Sequence, residues 1–450
     1  MPQEALSLEI VRWLEHQAAG RVTRCERHVA RREAWLVDLE RADGSRAEWF
    51  LRVDRAKPGR PNPFSLERET RILRALRANG VRVPRIDAWS DAHQVVLQER
   101  VRGDANLAAA PPEAQRAVLR EFAEEIARMH ALAPEQLALA DVPVPASARE
   151  AALAEVDKLE AMLAGHREPE PVARFGVAWL RAHAPETLER VALVQGDTGP
   201  GNFLYEGARL AALVDFEWAH WADPHEDLGN FSAREFFMPC GGVAEALAHY
   251  ARASGAAVDL ARVRYFRVQQ MTRSVLGLVR VTSPHDPRGP VAMNLGYRAV
   301  CERALCEAIA DALGIALSPA ELPAAPDEDA RGLPAIVAKQ LTHELAPALP
   351  SAYLRHRAES AAALVACIER ERRYGAQIAA AEREELGELL GARVERASEG
   401  RGALDARIRA GTAPPEERTL HYLARHARRA ESLYAPVTAA FASCAFSPLS

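Results

Sequence analysis

Residues 191–230 read VALVQGDTGPGNFLYEGARLAALVDFEWAHWADPHEDLGN, and this stretch decides the fold. Two apolar runs, VALV and LAALV, each lead to an acidic residue on a turn. Short apolar runs bounded by turn residues read as strands, and FLYEGARLAALV reads as a hairpin turning at Glu206-Gly207. The strand ends then bring Asp197, Asn202 and Asp215 to one place. Gly196, Gly199, Gly201 and Pro200 let the first loop turn tightly enough to aim its side chains at one point. Asp and Asn oxygens are hard donors suited to Mg²⁺, which keeps several waters and binds few protein ligands plus phosphates. One carboxylate placed to accept a hydroxyl proton, beside an oxygen pair that holds a metal on phosphates, is the layout phosphoryl transfer needs.

A D-x-x-x-x-N spacing alone arises by chance. Joined to a second Asp at a strand end, with D-P-x-x-D-L behind it, the combination is specific. Together D-x-x-x-x-N, D-F-E and D-P-H-E-D-L resemble the catalytic and metal loops of the aminoglycoside phosphotransferase and choline kinase families, relatives of protein kinases. The string is also similar to the kinase-like domains fused to some acyl-CoA dehydrogenases. The resemblance implies an α+β, bilobal protein-kinase-like fold, with a small β-rich N-lobe and a larger, mainly helical C-lobe. It implies Asp197 as catalytic base, Asn202 and Asp215 as Mg²⁺ ligands, and ATP or GTP as phosphate donor. Asp223 and Asp227 fall in the D-P-x-x-D-L element, where Asp227 is expected to fix the catalytic loop by hydrogen bonds.

Towards the N-terminus, residues 5–18 form a short amphipathic helix. Residues 21–29, 33–40 and 47–53 read as strands, with Asp-Gly in RADGSR as a hairpin signal. Leu66, Ile72, Leu73 and Leu76 recur at helical spacing from Ser65 to Asn79, before Gly80. Residues 84–89 and 94–99 are further strands. A kinase needs a cation on the α/β-phosphates and a carboxylate holding it. Arg52 on the strand FLRV and Glu69 on the helix LERETRIL are the candidates, Arg standing where Lys is commoner. Glu67 faces elsewhere on that helix. The loop HVARREAW has no glycine; Arg31 or Arg32 either contact phosphate there or are solvated. LQERVRG, residues 97–103, matches the position of a hinge, so that Glu99, Arg100 and Val101 would bind the purine with backbone groups.

After Gly103 helices dominate, with stretches at 112–131, 171–185 and 243–314. The resemblance places the acceptor pocket within about 232–310, where Arg234, Arg267 and Arg273 stand among apolar residues. Polycationic acceptors call for acidic pockets. The arginines point instead to a neutral or anionic hydroxylated metabolite, and the resemblance to the dehydrogenase-fused domains suggests a hydroxyacyl thioester as one candidate. His130, His220 and His225 read as packing, capping or exposed groups, and Trp218 and Trp221 as packing residues. The expected organisation is an N-lobe at 1–103, a C-lobe at 104–318, a proline-rich linker at 319–334 and an all-α C-terminal domain at 335–450. Packing, or a homodimer through that last domain, is favoured over a lid on the acceptor.

Composition sets outer limits. The 450 residues carry a formal net charge of -5 with both signs interspersed, which gives no basic surface for nucleic acid. The six cysteines form no C-x-x-C pair and read as reduced thiols of a cytoplasmic protein. No run approaches the length of a membrane span, and the N-terminus lacks a signal peptide's pattern. A nucleotide-binding pseudokinase is the second reading, motivated by the glycine-free loop and Arg52. A metal-dependent phosphoester hydrolase is the third.

Overall fold

The computed structural model describes residues 6–28, 33–54, 64–166, 168–282, 289–322 and 332–450. Arg31 and Arg32 therefore lie outside the described residues. The chain gathers into two compact units. The first comprises 1–151, 187–259 and 446–450, and the second 152–186 and 260–445.

The first unit opens on the helix Leu8–Ala18, followed by β1 (Gly20–His28), β2 (Glu33–Arg41) and β3 (Arg46–Val53). The helix Leu66–Ala78, β4 (Ile86–Ser90) and β5 (Val95–Glu99) complete an antiparallel sheet of order β1-β2-β3-β5-β4. Successive strand residues point to opposite faces, so each strand here builds two surfaces. Trp35, Val37, Leu39, Trp49, Leu51, Val53, Val95 and Leu97 form one core with Ile10 and Leu14 of the first helix. The opposite parity, Ala34, Leu36, Phe50, Arg52 and Gln98, lines a cavity. Ser65 caps the helix Leu66–Ala78 by accepting from the Arg68 amide at 3.2 Å. Glu69 shares the buried face of that helix with Leu66, Ile72, Leu73 and Leu76.

The decisive stretch folds as two small antiparallel pairs. β7 (Phe203–Glu206) and β8 (Arg209–Leu213) form the hairpin, with Gly207 at φ +59°. β6 (Ala192–Val194) pairs with β9 (His220–Ala222). β9 is too short for a periodic pattern to reveal it. The helix Pro112–His130 packs on β6 and β8, and the helix Val243–Ser254 packs in turn on it and on His225–Glu235. Phe122 packs on both Phe203 and Phe231. The last residues join this unit too: Phe446 packs on Phe236, and Ser447 Oγ donates to Glu235 Oε2 at 2.7 Å.

The second unit is helical. Leu260–Thr282 packs on Val291–Leu313, which packs in turn on Glu416–Leu433. The helix Pro171–Ala182 meets Ala397–Arg409 through a buried pair, Arg174 Nε to Asp405 Oδ1 at 2.7 Å. Gly296 lies flat against the Val437 backbone, where a side chain would collide. Residues 152–186 and 260–318 therefore cluster with the C-terminal helices, and the expected boundaries at 103, 318 and 334 are not edges of these units. All six cysteines are free thiols, and burial raises the pKa of Cys240, Cys301, Cys306 and Cys367. No described helix is long and apolar enough to cross a membrane.

Candidate active site

A cavity of about 590 Å³ in the first unit is lined by Arg52, Glu69, Gln98, Glu99, Arg100, Val101, Asp197, Asn202, Asp215 and Glu217, among others. That volume suits a small-molecule ligand. Asp197, Asn202 and Asp215, separated along the chain, thus share one wall-lined space.

The loop after β6 is held from several sides. Gly196 has φ +79° and packs against the Trp218 carbonyl, leaving no space for a side chain. Gly199, at φ +138°, lies under Arg234, where a Cβ would come within 3.1 Å of the Arg234 Cβ. Only glycine takes such backbone angles freely. Asp227 sits beneath this loop with no exposed surface. Its Oδ2 accepts from the Gln195 amide at 2.8 Å and from His130 Nε2 at 3.0 Å, and its Oδ1 from the Gly196 amide at 3.0 Å. Burial alone would raise this carboxyl's pKa; hydrogen bonding and charge from His130, with Thr198 and the Gln195 amide, hold it below the usual range. His130 Nδ1 lies 2.9 Å from Tyr250 Oη, so this histidine is a buried link in the scaffold.

Asp197 is oriented by two donors. Asn202 Nδ2 donates to Asp197 Oδ2 at 2.9 Å and to its backbone carbonyl at 2.7 Å. Arg234 Nη1 donates to the same Oδ2 at 2.9 Å, while Arg234 Nε donates to Pro200 O at 2.9 Å. With both donor bonds of Asn202 directed at Asp197, Oδ1 is the polar atom of that side chain that remains for a ligand. Gln195 Nε2 bonds the Asn202 and Val214 carbonyls, and the Val214 amide donates to Asn202 O at 3.0 Å, so the end of this loop is stitched to the strand leading into Asp215.

Asp215 has φ +64°, in the left-handed region that Asp tolerates better than most side chains. Its carboxyl is pushed up to about 6 by burial, then by the charges of Glu69 and Glu217; Arg52 pulls the other way. Arg52 Nη1 donates to Glu69 Oε1 at 2.6 Å, and that oxygen also accepts from the Phe216 amide at 3.2 Å. One carboxylate therefore ties the β3 cation to the loop carrying Asp215. Glu67, by contrast, is about half exposed beside Arg71.

The donor chemistry fits magnesium. The Asp215 carboxylate and Asn202 Oδ1 are hard oxygens on one cavity, and the charges of Glu69 and Glu217 that raise the Asp215 pKa would favour a bound cation there. Among the described residues no group of three or more His, Cys, Asp or Glu could hold a metal ion. Magnesium on a nucleotide needs no such group, because phosphates and waters complete its shell.

Other candidates occupy different settings. The Glu99 amide is bonded to Arg85 O at 2.8 Å, and Arg100 and Val101 follow it along the cavity wall. The Arg100 side chain pairs with Asp38 at 2.8 Å. In the second unit, Arg267 is buried and donates to Asp311 Oδ2 at 3.0 Å, and Arg273 bonds Gln270. His225 is fixed between Asp223 Oδ1 at 2.7 Å and the Asp259 amide at 3.0 Å, and His220 lies 3.3 Å from Glu226. Gln195 and Gln98 stand outside the three motifs and are marked only by their place beside the motif residues, whereas Glu217 closes D-F-E and joins Asp215 on the cavity.

A family model described as phosphotransferase enzyme family matches residues 24–266, more than half of the chain. No curated protein matches the sequence. Among solved structures, a putative aminoglycoside phosphotransferase from Ralstonia eutropha JMP134 superposes with TM-score 0.52 at 17% identity, covering 69% of this chain and 99% of its own. At that identity the likeness shows the fold, a small β-sheet region followed by a mostly helical remainder. The apoenzyme of macrolide 2′-phosphotransferase MphH from Brachybacterium faecium gives TM-score 0.47 at 19% identity, covering 66% of this chain and 98% of its own. The GDP and kanamycin complex of APH(2″)-IIIa gives 0.49 at 20% identity, covering 68% and 99%.

Proposed function

The chain belongs to the phosphotransferase enzyme family, and from that premise we propose that it transfers the γ-phosphate of ATP or GTP to a hydroxyl of a small molecule. The observation that carries this reading is the convergence of Asp197, Asn202, Asp215 and the Arg52–Glu69 pair on one cavity. The family name alone would not assign those roles.

In this reading Arg52, held at its fixed position by Glu69, forks onto the nucleotide phosphates. Backbone groups at Arg100 and Val101 meet the purine. Asn202 and Asp215 would hold Mg²⁺, which supplies charge neutralisation on the phosphates when bound. Asp197 orients the acceptor hydroxyl and takes its proton on the carboxylate as the acceptor oxygen bonds to the γ-phosphorus and the bond from that phosphorus to the bridging β-phosphate oxygen breaks, releasing the nucleoside diphosphate. Arg234 and Asn202 both donate to Oδ2, which fixes the carboxylate in the orientation from which it receives that proton. Asp227 positions the loop through the Gln195 and Gly196 amides.

The acceptor is proposed to be a neutral or anionic hydroxylated metabolite, such as a hydroxyacyl thioester, rather than a polyamine. Arg234 places a guanidinium on the base itself, and a polycation approaching Asp197 would be repelled by it. Arg267 and Arg273 belong to the second unit, where they bond Asp311 and Gln270, so the acceptor reading rests on Arg234. A homodimer through the C-terminal helices is proposed as the resting assembly.

The test is a screen of hydroxylated metabolites with labelled ATP and GTP, using Asp197→Asn as blank. Transfer should fall at least a thousandfold in that variant while nucleotide affinity stays within about threefold. Mg-nucleotide at a hundredfold excess over Kd should stabilise wild type by about 2.7 kcal/mol. Absence of any stabilisation by either purine triphosphate would defeat the kinase reading. Turnover of kanamycin-like amines, with none of hydroxyacids, would defeat the acceptor assignment.

A further inference from the structure

Gln98 stands near the end of β5, on the cavity face of the sheet and in register with Phe50 of β3. It is 7% exposed, and among the described residues its Oε1 has no hydrogen-bond partner. Buried amide oxygens are almost always satisfied, so an unsatisfied one on a ligand cavity calls for a ligand group. Other polar side chains of this wall are engaged: Arg52 with Glu69, Arg100 with Asp38, Asn202 with Asp197. Phe50 lies two residues from Arg52 on β3, so Gln98 sits about 7 Å along the sheet from the phosphate cation. The segment Glu99–Val101, proposed to meet the purine edge, follows it directly.

Given nucleotide binding in this cavity, as proposed above, we infer that Gln98 reads the 6-position of the purine and admits both adenine and guanine. Adenine carries an amino donor there and guanine a carbonyl acceptor. A glutamine amide offers one group of each kind, an accepting Oε1 and a donating Nε2. No described hydrogen bond fixes which way the amide faces. A half-turn about its last torsion exchanges the two, so each base finds its complement without movement of the backbone. An arginine or a carboxylate at this position would serve one base and oppose the other.

Calorimetry on the full-length protein with magnesium tests this, using ATP, GTP and purine riboside triphosphate, which lacks a 6-substituent. Wild type should bind ATP and GTP within about tenfold of each other, and both about three- to tenfold more tightly than the unsubstituted nucleotide. That comparison needs no variant. Gln98→Met should erase the advantage of both natural nucleotides. Gln98→Glu should keep ATP and weaken GTP about tenfold or more. Hundredfold selection of one natural nucleotide by wild type overturns the inference, as does an unchanged advantage in a folded Gln98→Met protein. Binding of all three with equal affinity sinks only the role of Gln98. No binding of any of them sinks the kinase reading as well.

Discussion

Replacing Asp215 by Asn should make the metal-free protein more stable while destroying the site. The folded pKa of this carboxyl is about 6, against an ordinary value of 3.8. That is a shift of roughly two units, and at 1.36 kcal/mol per unit the ionised group destabilises the fold by about 3 kcal/mol. The cause is burial first, with Glu69 and Glu217 adding repulsion that Arg52 only partly offsets. The sign follows from linkage. The folded state holds this proton more tightly than the unfolded chain, so stability is fullest below pH 3.8 and falls as pH rises to about 6. Asn removes the charge and keeps the shape, and it tolerates the φ of +64° at this position. Alanine would add backbone strain and confuse the result. The assay is urea denaturation in EDTA at pH 8 and at pH 4. At pH 8 the variant should be more stable than wild type by about 1–3 kcal/mol, and at pH 4 the gap should close. Affinity for magnesium nucleotide should fall at least tenfold in the same variant. A variant no more stable than wild type at pH 8, or a gap independent of pH, would refute the electrostatic account.

Three further outcomes follow from the same geometry. Arg234→Ala should lower kcat about a hundredfold with little change in nucleotide KM, because it frees the Asp197 carboxylate to swing without touching the phosphate cation; a change confined to nucleotide KM would contradict this. Asp227→Asn should cost about 3 kcal/mol in thermal or urea unfolding near neutral pH, and its pH behaviour should oppose that of Asp215: a carboxyl held below its ordinary pKa contributes stability above pH 3.8, lost on acidification. Truncation at residue 334 should give an aggregated or unfolded product by circular dichroism, since it bares the face of Val291–Leu313 that packs on Glu416–Leu433 and leaves Arg174 buried without Asp405; a folded monomer with native helicity would show the C-terminal helices to be dispensable.

The parts of this molecule that sequence reveals are those whose cause is local. Alternation in EAWLVDLER places Trp35, Val37 and Leu39 on one face and Ala34 and Leu36 on the other. Ser65 and the spacing of Leu66, Ile72, Leu73 and Leu76 define a capped helix and put Glu69 on its buried side. The loop from Gln195 to Asn202 is legible because its glycines and its chemistry lie within eight residues. What sequence hides is the identity of partners. Arg234 reads as an acceptor-pocket charge, yet it grips Asp197, 37 residues earlier. Nothing in its helical period separates those roles. The three-residue strand β9 is too short for any pattern, whereas its partner β6 lies within the apolar run VALV. Phe446 and Ser447 end a run of helices but pack against Phe236 and Glu235, because apolar periodicity marks a buried face without naming what covers it.

Asp227 is fully buried and Asp215, twelve residues earlier, is half-buried on the cavity, and their environments drive them in opposite directions. Asp227 receives donors on both oxygens, so burial strengthens its bonds and the fold gains from its charge. Asp215 faces carboxylates across a cavity, so burial there magnifies repulsion. A protein optimised only for folding would keep the first and lose the second. Retaining a destabilised charge makes physical sense when a cation completes the site, since the same repulsion then becomes attraction for the ligand. The same logic applies to Gln98, whose buried oxygen gains nothing from the fold as it stands. Both groups line the same cavity, and in the function proposed above they would meet opposite ends of a nucleotide. This pairing explains more than the motif alone, because it accounts for where the fold accepts a loss as well as where it gains.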